Sequence, residues 1–296
     1  MSTEQPDQPA AAVPPAEPGS LPVTDREEVE ALRAATLGDY DVAGELGRGG
    51  MATVYLAHDI ALDRKVAIKV MSQALSLGDG VERFRREAKT AASLSHPNII
   101  PIYAVQRTER LLYFVMKYVD GRSLDSIIKE LGPLPIPMVQ AILGQTASAF
   151  GYAHRRGVVH RDIKPGNLRV TPEGLLKILP ECLRGEGLDP RADIFSAGAV
   201  LYEMACGRPP FNDTHPVPLI EAILNGDVPL PSQVYPPVHP ALERIIIRAL
   251  EPQPVRRFAR ATDLAEVLES LIDRESPMTN HRIKRSADHD SRSVNW

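Results

Sequence analysis

The sequence contains little cysteine and no long apolar run. Cys182 and Cys206 are its two cysteines, and they do not form a Cys-x-x-Cys motif. Their number and spacing argue against a disulfide framework or a zinc site, and they fit a reducing compartment. Apolar runs stay below the roughly 18 residues that a membrane helix requires, so we predict no membrane span.

An excess of charge of one sign is also lacking. The formal net charge is −4 over 296 residues, with 43% apolar and 24% charged residues. This balance gives no general attraction to nucleic acid or to an anionic membrane. The first residues, MSTEQPDQPA, have neither the basic nor the apolar region of a signal peptide. We therefore expect a cytoplasmic globular protein that does not bind nucleic acid.

Both ends of the chain are polar and aperiodic. Residues 1–38 begin with a Pro- and Ala-rich stretch that cannot bury enough apolar surface to fold by itself, and we predict a disordered tail. Within it, Thr24-x-x-Glu27 is a candidate capping box for a short helix. Residues 273–296 predict a second disordered tail.

The residues between the tails fall into two regions. In residues 39–118, strand-like segments predominate, at Val54–Leu56, Val66–Val70 and Tyr113–Met116, and one helix is predicted around residues 80–94. Residues 119–272 are mainly helical. The fold class is therefore predicted as α+β, with a small β-rich lobe before a larger helical lobe. Three amphipathic helical faces are predicted in the second region: Val139, Leu143, Thr146, Phe150 and Ala153; Leu242, Ile245, Ile246 and Ala249; and Leu264, Val267, Leu268 and Leu271.

A glycine-rich segment lies between two strand-like stretches, in the sequence Leu46-Gly-Arg-Gly-Gly-Met-Ala-Thr-Val-Tyr55. Glycine allows the backbone to turn tightly and to approach a phosphate closely, with amide groups as donors. A plain tight turn is an equally good interpretation of this segment taken alone.

A lysine follows on the next strand, in Val66-Ala-Ile-Lys69. Strand alternation puts Ala67 and Lys69 on the face opposite Val66 and Ile68. The distance from the glycine-rich segment favours a phosphate-reaching lysine over an ordinary exposed one. Glu87 lies on the predicted helix that follows, where it could pair with Lys69 or be a plain surface charge.

The third element is Val159-His-Arg-Asp-Ile-Lys-Pro-Gly-Asn167. Pro165 and Gly166 indicate that this segment forms a loop. It combines a carboxylate to orient a hydroxyl, Asp162, with a lysine to neutralise a phosphate, Lys164. The amide of Asn167 can hold a cation. These three groups together are the side chains that phosphoryl transfer requires.

In this order and spacing, the three elements resemble the bacterial Hanks-type (eukaryotic-like) serine/threonine protein kinases, from Tyr40 to Ile272. The resemblance implies a two-lobed kinase fold, transfer from ATP to protein serine or threonine, and Mg²⁺ as cofactor. It implies catalytic roles for Asp162, Lys164, Lys69 and Glu87, and a metal-binding role for Asn167. It also implies that nucleotide is bound by Leu46, Gly47, Gly49, Val54, Ala67, Lys69, Met116, Lys117, Val119 and Asn167.

Two further positions match the family. Asp193, in Ala192-Asp-Ile-Phe195, matches the aspartate that supports the catalytic loop. Arg257 matches the arginine that pairs with the glutamate of the Ala-Pro-Glu motif.

The chain departs from the family after the hairpin Leu168–Ile178. There the family continues through Asp-Phe-Gly and an activation segment to Ala-Pro-Glu. Here Leu179-Pro180-Glu181 follows at once, and Asp-Phe-Gly occurs nowhere in the sequence. Such a short bridge requires that either the hairpin or the contact between Glu181 and Arg257 shifts.

Three interpretations of this loss stay open. The chain is an impaired kinase, a pseudokinase that acts as a nucleotide-binding or partner-binding scaffold, or a deletion product of an ordinary kinase. A second departure is Arg169, where the family usually has an apolar residue under the adenine. The stem of arginine can cover apolar surface while its head stays in water.

Overall fold

Five antiparallel strands form the sheet of the first lobe. The structure is a computed structural model that describes residues 23–49, 52–71, 92–108, 110–179, 189–211 and 216–275. The strands are β1 (Tyr40–Arg48), β2 (Ala52–Asp59), β3 (Arg64–Met71), β4 (Ile102–Arg107) and β5 (Leu112–Lys117). Their order is β1-β2-β3-β5-β4. The helix predicted around residues 80–94 falls mainly on residues 72–91, which lie outside the described residues.

The two faces of β3 have different roles. Val66, Ile68 and Val70 are fully buried in one apolar cluster. Ala67 packs in a separate cluster on the other face, and Lys69 is on that face too. The predicted alternation is therefore confirmed, and it directs Lys69 to the side of the sheet that faces the second lobe.

Helix α1 (Val23–Ala35) covers the outer face of this sheet. Leu32 is fully buried there. The hydroxyl of Tyr55 on β2 donates a 2.7 Å hydrogen bond to Glu28, and Arg33 donates one to the carbonyl of Val42. Residues 23–35 thus pack with the first lobe, before the boundary predicted at residue 39, and Thr24 lies within the helix rather than capping it.

The second lobe is helical. Its helices are α2 (Leu124–Leu131), α3 (Ile136–His154), α4 (Arg191–Cys206), α5 (Pro216–Asn225), α6 (Pro231–Val234), α7 (Pro240–Ala249) and α8 (Ala261–Glu275). The predicted faces of α3 and α7 are buried in one core. On α8, Leu264 and Leu268 are buried, but Val267 is 39% exposed because it lies at the edge of the packed face. The end of α8 lies three residues beyond the predicted boundary.

A small sheet joins the lobes. It consists of β6 (Arg122–Ser123), β7 (Leu168–Val170) and β8 (Leu176–Ile178) in that order. Ile178 also bridges to Ile99, which precedes β4. The β7–β8 hairpin pairs in unbroken register. The hairpin is thus regular up to its last residue, and Pro180 and Glu181 lie outside the described residues.

Within the described ranges, no helix combines the length and apolar character needed to cross a bilayer.

Replacement of Leu32 tests whether α1 is part of the folded lobe. Leu32→Ala leaves a cavity between α1 and the sheet, so we expect the free energy of unfolding to fall by about 2–5 kcal/mol. Denaturant unfolding measures this change. Leu37→Ala is the matched control, because Leu37 is 87% exposed, and it should change stability by less than about 0.5 kcal/mol. Equal, small effects of both substitutions would show that α1 adds nothing to the lobe.

Candidate active site

A cavity of about 630 Å³ lies between the two lobes. Every site residue predicted from the sequence lines it except Glu87, which lies outside the described residues. These residues are Leu46, Gly47, Gly49, Val54, Ala67, Lys69, Met116, Lys117, Val119, Asp162, Lys164 and Asn167. The volume falls in the range of small-molecule sites. The fold thus brings together residues that are more than 100 positions apart in the sequence.

The carboxylate of Asp193, at the start of α4, holds the loop that enters this cavity. It accepts hydrogen bonds from the backbone amides of His160, at 2.9 Å, and Arg161, at 2.7 Å. It also lies 2.8 Å from Nε2 of His154. Asp193 is 1% exposed. A buried carboxylate is tolerated only when its oxygens are paired, and here the pairing fixes the loop.

The backbone of Arg161 is in the left-handed region, with φ of 68°. This conformation costs a residue other than glycine about 1–3 kcal/mol and persists only where its surroundings impose it. The hydrogen bond from the Arg161 amide to Asp193 is one such constraint. The strained turn directs the next residue, Asp162, into the cavity.

Asp162, Lys164 and Asn167 form a connected group at the cavity wall. The Oδ2 atom of Asp162 is 2.8 Å from Nζ of Lys164 and accepts a 3.1 Å hydrogen bond from the amide of Asn167. The same amide donates to the Asp162 carbonyl at 2.7 Å. Oδ1 of Asp162 has no hydrogen bond from the described residues and can accept one from a ligand hydroxyl.

The surroundings of Asp162 set its ionisation. Burial alone would raise the pKa of Asp162, but the hydrogen bond and charge of Lys164, with the Asn167 amide, outweigh burial and lower the pKa. Asp162 is therefore ionised at neutral pH. An ionised carboxylate is the form that can accept a proton.

An apolar slot forms the inner part of the cavity. Ala67, Ile100, Met116 and Val119 make its buried cluster, and Val54 and Leu179 pack against that cluster. The glycines, Lys69 and the loop of Asp162 also line the same cavity. The cavity can therefore accept a ligand with a flat apolar part and a negatively charged part.

Leu179 is the last residue described before the departure from the family, and it is held in place. Its amide donates a 2.9 Å hydrogen bond to the Asn167 carbonyl. Its carbonyl lies 2.8 Å from Nε2 of His160. Since Nδ1 of His160 accepts from the Asp162 amide, Nε2 is the nitrogen that donates to Leu179. The loop that contains Asp162 and the hairpin thus stay connected up to this residue.

Arg257 is bound by backbone carbonyls. It donates to Glu251 at 2.6 Å, to Arg191 at 3.0 Å and to Pro252 at 2.9 Å, and it lies over the ring of Phe195. These contacts anchor the start of α4. The expected partner, Glu181, lies outside the described residues.

Several residues of the cavity wall were not assigned to the site from the sequence. They are Arg48, Ile100, Ser123, Asp125, Arg169 and Leu179. Ser123 and Arg169 are opposite each other on β6 and β7, and pairing of two such short strands leaves almost no sequence signal. Only Arg169 was singled out, as a departure from the family.

The charge of the cavity wall is positive. Among the described residues, five basic side chains line it, those of Arg48, Lys69, Lys117, Lys164 and Arg169, against the two carboxylates Asp125 and Asp162. Arg48 is paired with Glu45 at 2.8 Å, and Asp125 with Lys129 at 2.9 Å. A cleft wall in which basic side chains predominate favours a polyanionic ligand.

Comparison with known proteins agrees with this geometry. Residues 40–179 match the family described as protein kinase domain. The chain is 35% identical to the serine/threonine-protein kinase PrkC of Bacillus subtilis, with 80% of this chain and 41% of the relative covered. It is 33% identical to the serine/threonine-protein kinase PknB of Mycobacterium leprae, with 76% and 42% covered.

Residues 40–179 therefore belong to the protein kinase domain family, and the two-lobed fold of the chain is that of a protein kinase. The chain spans about two fifths of the length of these two bacterial serine/threonine kinase relatives.

The ionisation of Asp162 can be tested directly. The lowered pKa depends mainly on Lys164, so Lys164→Met should raise it, as followed by a carboxyl ¹³C NMR titration. The ion pair should stabilise the fold above the ordinary range of aspartate and be lost as the pH falls through the lowered pKa. Lys129→Met, which frees Asp125 instead, should leave the titration of Asp162 unchanged. An unchanged pKa in Lys164→Met would contradict this assignment.

Proposed function

We propose that this chain is an ATP-dependent serine/threonine protein kinase whose phosphoryl transfer is weakened by the loss of Asp-Phe-Gly and the activation segment. The observation that carries the proposal is the hydrogen-bonded group of Asp162, Lys164 and Asn167, held by the buried carboxylate of Asp193. Positioned charges of this kind supply most of the catalysis in phosphoryl transfer.

Each retained residue has a definite task in this reaction. Oδ1 of Asp162 accepts the hydroxyl proton of the substrate serine or threonine. The hydroxyl oxygen forms a bond to the terminal phosphorus of ATP, the bond to the bridging oxygen breaks, and ADP leaves. Lys164 neutralises charge beside Asp162, Lys69 reaches the phosphates, and the apolar slot takes the adenine.

Magnesium fits the described residues only in part. Mg²⁺ prefers oxygen ligands, commonly one or two carboxylates together with substrate phosphates. The amide oxygen of Asn167 has no hydrogen bond from the described residues and would hold the ion. Asp125 and Asp162 are the carboxylates of the described cavity wall, and each is paired with a lysine. A bound ion would neutralise phosphate charge, with fewer protein ligands than kinases normally provide.

The loss of an internal segment has independent support. The alignment with PrkC runs over 264 positions but covers 80% of the 296 residues, or about 237, so about 27 positions have no residue in this chain. The match to the kinase domain ends at residue 179, beside the break. Loss of one preorganised electrostatic contact lowers rates by about 10²–10³ in other enzymes, and we expect at least that reduction here.

The second candidate is a pseudokinase that binds nucleotide or a partner without transferring phosphate. The absence of Asp-Phe-Gly from the sequence favours it, as does the incomplete set of magnesium ligands. In its nucleotide-binding form it shares the cleft with the first candidate and differs from it in the chemical step.

Transfer of label from γ-labelled ATP with Mg²⁺, to the chain itself and to a generic basic protein, tests the proposal. We expect slow incorporation that Asp162→Asn abolishes, because the variant cannot accept the proton. Asp41→Asn is the matched control, since Asp41 is an exposed carboxylate on β1, and it should incorporate label like the wild type.

Calorimetric titration with ATP separates the alternatives. Binding without incorporation above the Asp162→Asn level would reject the kinase and leave the pseudokinase. Failure to bind ATP would reject the kinase and the nucleotide-binding pseudokinase, and would leave a scaffold that binds a partner without nucleotide.

A further inference from the structure

We propose that the guanidinium of Arg169 contacts the aromatic base of a bound purine nucleotide, an inference that rests on the nucleotide binding proposed above. The planar, charged guanidinium would then lie under the base, at the position where the family usually has an apolar side chain.

The strand geometry directs Arg169 into the cavity. On β7, Leu168 is fully buried in the core of the helical lobe, and Val170 packs against the same core. Alternation therefore turns Arg169 to the opposite face. Its register partner Ser123 lines the cavity as well, as expected for directly opposed residues of an antiparallel pair.

The guanidinium is held at the hinge end of the cavity. It donates a hydrogen bond to the carbonyl of Gly121, which follows the segment linking the lobes. Its Nε atom is buried and has no hydrogen-bond partner among the described residues. The two carboxylates that the described residues contribute to the cavity wall are paired elsewhere, Asp125 with Lys129 and Asp162 with Lys164. The charge of Arg169 is thus neutralised by neither of them.

A purine base meets the requirements of this position. The slot in the same cavity is apolar, with Val54 and Ala67 contributed by the opposite lobe. An aromatic ring in the slot presents its electron-rich face to the cation, and such contacts are stronger when desolvated. Arginine suits this contact better than lysine because its guanidinium is planar and weakly hydrated.

The test compares ligands that contain different parts of ATP. Calorimetry would be done with adenosine, ATP and inorganic triphosphate, on the wild type and on Arg169→Met. We expect the variant to bind adenosine and ATP about threefold to thirtyfold more weakly. Its loss of affinity for triphosphate should be smaller, because Arg169 is one of several basic side chains in the cavity wall. Arg107→Met, at an exposed site on β4 outside the cavity wall, is the matched control and should bind all three like the wild type.

Arg169→Gln separates contact with the base from support of the hinge. Its amide can still donate to the Gly121 carbonyl, but it has no charge. We expect it to bind adenosine as weakly as Arg169→Met. Wild-type affinity in the glutamine variant would overturn the proposal, because the role of Arg169 would then be to hold Gly121.

Other outcomes are equally decisive. Unchanged adenosine binding in Arg169→Met, or an equal loss of triphosphate binding, would overturn contact with the base. A wild-type chain that binds neither adenosine nor ATP overturns both this proposal and the proposed function. Adenosine binding lost in the variants, in a chain that transfers no phosphate, would support the role of Arg169 and reject only the kinase.

Discussion

The active-site geometry depends on one buried carboxylate, that of Asp193. It accepts hydrogen bonds from the consecutive backbone amides of His160 and Arg161, and it contacts His154. These contacts hold the loop that precedes Asp162 in a strained turn. Because a buried charge that loses its partners is costly, the loop and the start of α4 are held together. The carbonyl contacts of Arg257 fix the same end of α4. The position of Asp162 thus follows from the helical core.

The cleft retains one part of a kinase site more completely than the other. In the inner part of the cavity, Leu179 packs against the apolar cluster that contains Ala67 and Met116. At the catalytic end, Asp162, Lys164 and Asn167 are hydrogen bonded to one another. The sequence lacks Asp-Phe-Gly, the motif that follows this hairpin in the family. Nucleotide binding by the cleft and the rate of phosphoryl transfer can therefore be measured separately.

Much of this was predictable because strand and loop motifs are local. Alternation on β3 predicted the direction of Lys69, and the loop motif predicted the grouping of Asp162, Lys164 and Asn167. The packing of α1 was not predictable, because the spacing of residues within a helix does not show which surface it will contact. In the structure, Leu32 and Glu28 contact the sheet of the first lobe. The hydrogen bond of Arg169 to Gly121 and the anchoring of Leu179 by His160 likewise depend on residues far apart in sequence. Val267 was assigned to a buried face and is exposed because helical spacing does not mark where packing ends.

Insertion of the missing segment tests the central claim most directly. A stretch from Asp-Phe-Gly to the alanine of Ala-Pro-Glu, taken from one of the bacterial relatives, would be placed between Leu179 and Pro180, so that the inserted alanine joins Pro180 and Glu181. Transfer from γ-labelled ATP would then be measured. If the rest of the site is intact, the rate should rise by at least roughly 10²–10³, and Asp162→Asn in the same background should remove the gain. An inserted chain that folds and binds ATP but transfers no faster than the original would contradict the account.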